Sequence, residues 1–180
     1  MIHLQTLTSA EDLAFFEKVN LLFPEEERFE IKEFLDAQDK GLLNIYKIVA
    51  DCPIGFSVIS VDEEAVFIFY LAFDKEFQSQ GYGSEVLNTY KELFKDKQLI
   101  LEVEKVDNKT PFESLRMRRR RFYLKNHFHL SHYETHFKGV DFQVMCTGKD
   151  LKVKSFKSIL SALSQMGYMP ALTQLKVQKK

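Results

Sequence analysis

Nine consecutive apolar residues, Ala65 to Phe73 (AVFIFYLAF), constrain this 180-residue chain more than any other feature. A membrane-spanning helix needs about 20 such residues. The run is bounded by Asp62-Glu63-Glu64 and by Asp74-Lys75-Glu76, and it reads as a strand covered on both faces. After the glycines at 81 and 83, Val86, Leu87, Tyr90, Leu93 and Phe94 recur at helical spacing. Gln98 to Val106 (QLILEVEKV) then returns to a strand pattern. Two strands joined through a helix make a right-handed parallel crossover. The sequence therefore predicts an α/β fold with helices on both faces of the sheet.

The flanking segments extend that sheet. Residues 2–7 alternate as an opening strand. Ser9, with Asp12 three residues on, caps a helix that stops near Phe23-Pro24. Pro24 suits the first turn of a second helix, and Glu25, Glu26 and Glu27 suit the positive end of its dipole. That helix buries Phe29, Ile31, Phe34 and Leu35 and ends at Gly41. Residues 44–50 and 54–61 read as strands around a turn at Asp51-Cys52-Pro53, and residues 112–126 as a helix. Residues 128–137 and 140–147 form a hairpin around Lys138-Gly139. Two units are expected: residues 1–148 as the folded domain, and residues 149–180 as a basic extension with one short helix near 155–166.

Charge narrows the function classes. The net charge is −1, which argues against bulk nucleic-acid binding. Its distribution is uneven: residues 9–40 are acidic, residues 149–180 basic, and five of the six arginines fall within 116–121. Such polarity suits steering of a charged ligand or self-association as a homodimer. No apolar run spans a membrane, and Met1 to Thr6 do not open as a signal peptide, so a cytoplasmic protein without a membrane partner is expected. Cys52 and Cys146 make neither a disulfide framework nor a zinc pattern. His127 and His129 fall on one strand face and His132 and His136 on the other, so no metal is expected.

The chemistry points to the turn Gln78-Ser79-Gln80-Gly81-Tyr82-Gly83-Ser84. A helix N-terminus offers unpaired N–H groups and partial positive charge, and glycine lets a ligand approach the backbone. That suits a pyrophosphate. Val86 stands where a dinucleotide fingerprint needs its third glycine, and no Gly-Lys-Ser/Thr follows as in a P-loop. The turn instead resembles the acetyl-CoA signature of the GNAT N-acetyltransferases, Gln/Arg-x-x-Gly-x-Gly/Ala. The resemblance covers roughly residues 1–148 and extends to the blocks at Phe69–Ala72, Leu101–Glu104 and Phe122–Asn126.

The resemblance implies a mixed sheet of six to seven strands, splayed between the fourth and fifth. It implies acetyl-CoA as co-substrate, its pantetheine arm paired with backbone near Leu71, Ala72 and Phe73 and its pyrophosphate on the N–H groups of Gln78 through Ser84. It implies direct acetyl transfer to a primary amine on a small molecule or peptide. Tyr123 is then the candidate acid for the departing sulfur. Many members carry a carboxylate on the central strand, where this chain has Phe67 and Phe69. The candidate bases are Glu104 and Glu102, which alternation places on one face of the next strand. The alternatives are a pair of solvated edge carboxylates, or pairing of one of them with the arginine window. Arg116 replaces a frequent asparagine, and His127-Phe128 a frequent Gly-Phe, which leaves open an inactive acyl-CoA-binding module of the same fold.

Overall fold

In the computed structural model, which describes residues 1–176, the apolar run forms β4 (Ala65–Phe73) near the middle of the sheet. It is preceded by β1 (His3–Thr6), α1 (Ala10–Asn20), α2 (Ile31–Asp39), β2 (Asn44–Val49) and β3 (Pro53–Val61). After it come α3 (Tyr82–Leu93), β5 (Gln98–Glu104), α4 (Leu115–Lys125), β6 (His129–Phe137), β7 (Val140–Cys146), α5 (Val153–Leu163) and β8 (Ala171–Gln174). The strands form one sheet of eight in the order β1-β2-β3-β4-β5-β7-β6-β8. The α/β reading with a mixed sheet and helices on both faces holds.

Two apolar layers sandwich the sheet. Phe16, Val19, Phe34 and Ala37 of α1 and α2 join Phe156, Ile159 and Leu163 of α5 on one face. Val86, Leu87 and Tyr90 of α3 and the partly buried Phe122 and Tyr123 of α4 cover the other. Local rules explain the ends. Ser9 Oγ accepts from the Asp12 N–H at 3.1 Å and Asp12 Oδ2 from the Ser9 N–H at 3.3 Å, a capping box. Gly41, at φ 71°, closes α2 as the Leu42 N–H reaches Ala37 O and the Gly41 N–H reaches Gln38 O. Lys138 and Gly139 both have positive φ, the tight hairpin turn their sequence suggests.

The central opening has a local cause. β4 and β5 pair in parallel only over Ala65↔Gln98, Val66↔Leu99 and Phe67↔Ile100. Against β3, Val58 faces Tyr70 while Ile59 faces Ile68, so Phe69 is an extra residue in β4. A bulge of this kind bends its strand. It also puts consecutive residues Phe69 and Tyr70 in the same layer, after which Leu71 and Phe73 enter the opposite one. Among the described residues, no strand pairs with β4 beyond Phe67 on its β5 side.

Three expectations need correction. The helix expected from Pro24 to Gly41 is two pieces: a 3-10 turn at Glu25–Glu27, extended backbone at Arg28, and α2 capped by Glu30. The break lets Phe29 turn into the core. The strand expected to Val106 stops at Glu104, and the helix expected from Phe112 starts at Leu115, capped by Ser114. Finally, an eighth strand lies in the segment read as a basic extension. β8 pairs antiparallel with β6, while α5 buries Phe156, Ile159 and Leu163 in the core. Residues 177–180 of that extension lie outside the described residues. Among the described residues no helix is long and apolar enough to cross a membrane.

Candidate active site

The separated ends of β4 and β5 border a cleft of about 790 Å³. It has two sides, one in each apolar layer. Leu71, Phe73, Val103, Phe122 and Tyr123 belong to the α3–α4 side. Phe29, Phe69, Tyr70, Phe137 and Tyr168 belong to the α1–α2–α5 side.

The α3–α4 side is made largely of backbone. Gly81 caps α3 at φ 91°, and Ser79 is also left-handed at φ 62°. Among the described residues, the N–H groups of Ser79, Gln80, Gly81, Tyr82 and Gly83 donate to no protein acceptor. Those of Gln78 and Ser84, expected in the cradle, are used within the turn, reaching Lys75 O at 3.4 Å and Gly81 O at 3.0 Å. The Gln78 and Gln80 side chains brace the turn, donating to Phe73 O at 3.0 Å and Glu76 O at 2.6 Å. A concave row of free amides at a helix N-terminus is an anion site. Gly83 is required by space: a Cβ there would lie 2.8 Å from Phe122 Cζ. Lys75 and Arg118 flank the turn, with Arg118 Nη2 3.5 Å from Ser79 Oγ.

Tyr123 lies on this side. Its ring packs on Phe122 at 5.0 Å and Phe128 at 5.9 Å. Burial raises its hydroxyl pKa while the Arg119 charge pulls it back, so the group stays protonated as a donor. His127, where the resemblance leads one to expect glycine, does take a left-handed φ of 65°.

The α1–α2–α5 side is made of side chains. Glu102 Oε1 accepts from Thr135 Oγ1 at 2.6 Å and Oε2 accepts from the Tyr168 hydroxyl. Burial raises its carboxyl pKa and these two donors partly offset the rise. Glu104 meets Arg116 Nε at 3.0 Å and Arg119 Nη1 at 3.6 Å. The pairing of one strand glutamate with the arginine window is therefore present. The window disperses as helix geometry requires: Arg120 reaches Gln143 and Arg121 stacks on Phe112.

Sequence reasoning missed two residues. Glu27 was read as a helix-dipole acid, yet it lines the cleft with an Oε1 shielded from water and without a hydrogen-bond partner. Its pKa rises to about 7, first from burial and then from the negative charge of Glu104, with Arg119 opposing. Tyr168 was hidden in the extension, yet it packs on Phe69 at 4.6 Å and Phe137 at 4.9 Å. The signal for Tyr168 was weak but present: an aromatic at the end of an amphipathic helix, beside a glycine.

Comparison with known families matches residues 5–128 to the Acetyltransferase (GNAT) family. Comparison with curated protein sequences gives no match. Among solved structures, a protein of the GNAT family from Bacteroides thetaiotaomicron superposes with TM-score 0.73 at 24% identity, over 94% of this chain and 98% of that one. The ribosomal-protein-S18-alanine N-acetyltransferase from Escherichia coli gives 0.60 at 18%, over 84% and 96%. The PaiA N-acetyltransferase from Thermoplasma acidophilum, solved with coenzyme A, gives 0.59 at 19%, over 83% and 99%. The first match extends past the family segment and takes in nearly the whole chain.

Proposed function

Because the chain belongs to the GNAT acetyltransferase family, and is an acyltransferase on that ground, we propose that it transfers an acetyl group from acetyl-CoA directly to a primary amine. One observation carries the reading: the splay between β4 and β5 joins a backbone anion site on one face of the sheet to a carboxylate-lined pocket on the other. A thioester entering from the α3–α4 side would present its carbonyl at the opening, where an amine from the α1–α2–α5 side can meet it.

The residues present fit coenzyme A. The free amides of Ser79 to Gly83 suit its diphosphate, with Lys75 and Arg118 beside them. The edge of β4 past Phe67, along Leu71, Ala72 and Phe73, carries no strand partner among the described residues and suits the amides of its pantetheine arm, with Phe73 O given up by the Gln78 side chain that now donates to it. When bound, acetyl-CoA supplies an acyl group whose C–S bond breaks as the bond from nitrogen to the carbonyl carbon forms. Tyr123 gives its hydroxyl proton to the departing sulfur. The phenolate left on Tyr123 recovers a proton from the acylated nitrogen. An attacking amine must first shed the ammonium proton, since only the neutral form has a lone pair. The acceptor side offers Glu27, Glu102 and Glu104 for that step.

Thermal denaturation tests the binding half. Acetyl-CoA and CoA are expected to raise Tm, and NAD and ATP to do so little. Release of free thiol in the presence of an amine tests transfer. Stabilisation without release of thiol from acetyl-CoA in the presence of any amine would replace the enzyme with an acyl-CoA-binding module.

A further inference from the structure

We propose that the acceptor is a monoamine on an aromatic or bulky aliphatic body, with its nitrogen held and deprotonated by Glu27 and its body among Phe29, Phe69, Phe137 and Tyr168. The inference rests on the acetyltransferase reading and deepens it. Three observations support it.

The first is the count of open carboxylates. Glu104 is engaged by Arg116 and Arg119, and each oxygen of Glu102 accepts from a neighbour. Glu26, the fourth carboxylate of the cleft, stands in water, whereas Glu27 alone of the four presents a water-shielded oxygen with no donor. Buried polar atoms left without partners are rare and want a reason. An incoming ammonium supplies the missing donor, and one open carboxylate serves one ammonium. A polyamine would bring further cations to Glu102 and Glu104, which are already occupied, or to Glu26, where water screens the charge.

The second is the wall. Tyr168 contacts Phe69 and Phe137, and Phe29 lies 5.8 Å from Phe69 and stacks with Phe137 at 6.1 Å. These rings offer carbon surface and few hydrogen-bonding groups. A peptide backbone would find its amides unpaired here, whereas a hydrocarbon body loses nothing. The rings also tolerate a cation nearby: Lys138 Nζ already sits 5.1 Å from the Phe29 ring and 5.3 Å from the Phe137 ring.

The third is placement. Glu27, Arg119 and Tyr123 line the same cleft, so the candidate base and acid share one cavity with a charged side chain between the two roles. With the thioester on the α3–α4 side, where Tyr123 lies, Glu27 would face the amine and Tyr123 the sulfur. Protons balance: Glu27 takes one from the ammonium, and the nitrogen gives up a second in place of the one Tyr123 delivered to sulfur. The first proton then leaves Glu27 to solvent.

The test compares phenethylamine, spermidine and a peptide with a free N-terminus, using the full chain and acetyl-CoA. Phenethylamine should show kcat/KM at least about tenfold above the other two. Calorimetry should detect phenethylamine binding to the CoA-loaded chain. Glu27→Gln should weaken that binding, reduce kcat/KM by about 10²-fold and remove the pH dependence near neutrality, while acetyl-CoA still raises its Tm. The preserved Tm response shows that the variant is folded. Preference for spermidine or peptide, or a Glu27→Gln variant with undiminished rate and pH profile, overturns the inference and leaves acetyl transfer standing. A chain that acetylates no amine and is not stabilised by acetyl-CoA overturns both.

Discussion

The two sides of the cleft are built from different materials. The α3–α4 side is backbone: free amides at one turn and an unpaired strand edge. The α1–α2–α5 side is side chains drawn from separated segments, with Glu27 and Phe29 before α2, Phe69 on β4, Glu102 and Glu104 on β5, and Tyr168 after α5. A backbone site depends on conformation, so it tolerates change at most side chains but not at its glycines. A side-chain site can be remade one residue at a time. The difference explains how one fold can keep a cofactor while its acceptor varies.

Tyr123→Phe should separate the sides most sharply. It removes the proton donor but keeps the ring that packs on Phe122 and Phe128. We expect kcat to fall by about 10²- to 10³-fold. Acetyl-CoA affinity, measured by calorimetry, should stay within about twofold, since in the proposed mechanism the hydroxyl acts on the sulfur rather than on the diphosphate. A large loss of affinity with little loss of turnover would mean that Tyr123 belongs to the binding surface.

Gly83→Ala probes the backbone side directly. The new Cβ would stand 2.8 Å from Phe122 Cζ and 3.6 Å from Phe73 Cε2. Either α4 or the turn must move, at about 1–3 kcal/mol for overpacking. Acetyl-CoA should bind about 5- to 100-fold more weakly, and the double variant with Phe122→Leu should recover part of the loss. The same glycine change leaves the acceptor wall untouched, so the ranking of amines should not alter.

These residues also show how far the sequence could be read. The cofactor side was legible because its determinants are local. Gly81 and Gly83 sit between a continuous apolar strand and a periodic helix, and the conformation follows from those residues and their neighbours. Even there the cradle proved narrower than expected, because the Gln78 and Ser84 N–H groups close the turn itself. The splay was expected from the resemblance, but its cause, the extra residue at Phe69, left no mark in a run of nine apolar residues. The acceptor side was not legible. Glu27 looks like a helix-start acid until the chain extends at Arg28, and that break is set by Phe29 finding the core. Tyr168 and β8 lie in a lysine-rich stretch whose pairing partner, β6, is far away in sequence.

Tyr168→Phe measures how much that late segment contributes. The substitution keeps the ring contacts and removes the donor to Glu102 Oε2. Glu102 is then left with Thr135 as its hydrogen-bond donor. An unsatisfied buried acceptor costs about 1–3 kcal/mol. Tm should fall by several degrees at pH 8 and less at pH 5. Burial already raises the Glu102 pKa, and loss of the Tyr168 donor raises it further, so at low pH the group protonates and the penalty lapses. Acetyl-CoA affinity should not change, because the residue lies on the other face of the sheet.

The smallest effect is on stability, and its sign is opposite to that of most substitutions. Glu27 is raised to about 7 in the folded chain from an ordinary value of 4.5. The folded state therefore binds more protons than the unfolded state between those values, and stability falls as pH rises through that window. Burial is the main cause. Glu104 on β5 and the neighbouring Glu26 add to the rise, while Arg119 and Arg116 on α4 oppose it. Glu27→Gln removes the charge that becomes costly above pH 7. Part of the group faces solvent, and the amide inherits the partnerless position of Oε1, so the gain is about 1 kcal/mol or less. That corresponds to a Tm rise of at most about 2–4 °C at pH 8, with no rise at pH 4. An acceptor site that weakens its own fold in order to keep a carboxylate open has the trade-off expected of a group held for binding. A Tm gain equal at both pH values would instead trace the effect to packing and remove the electrostatic argument for Glu27.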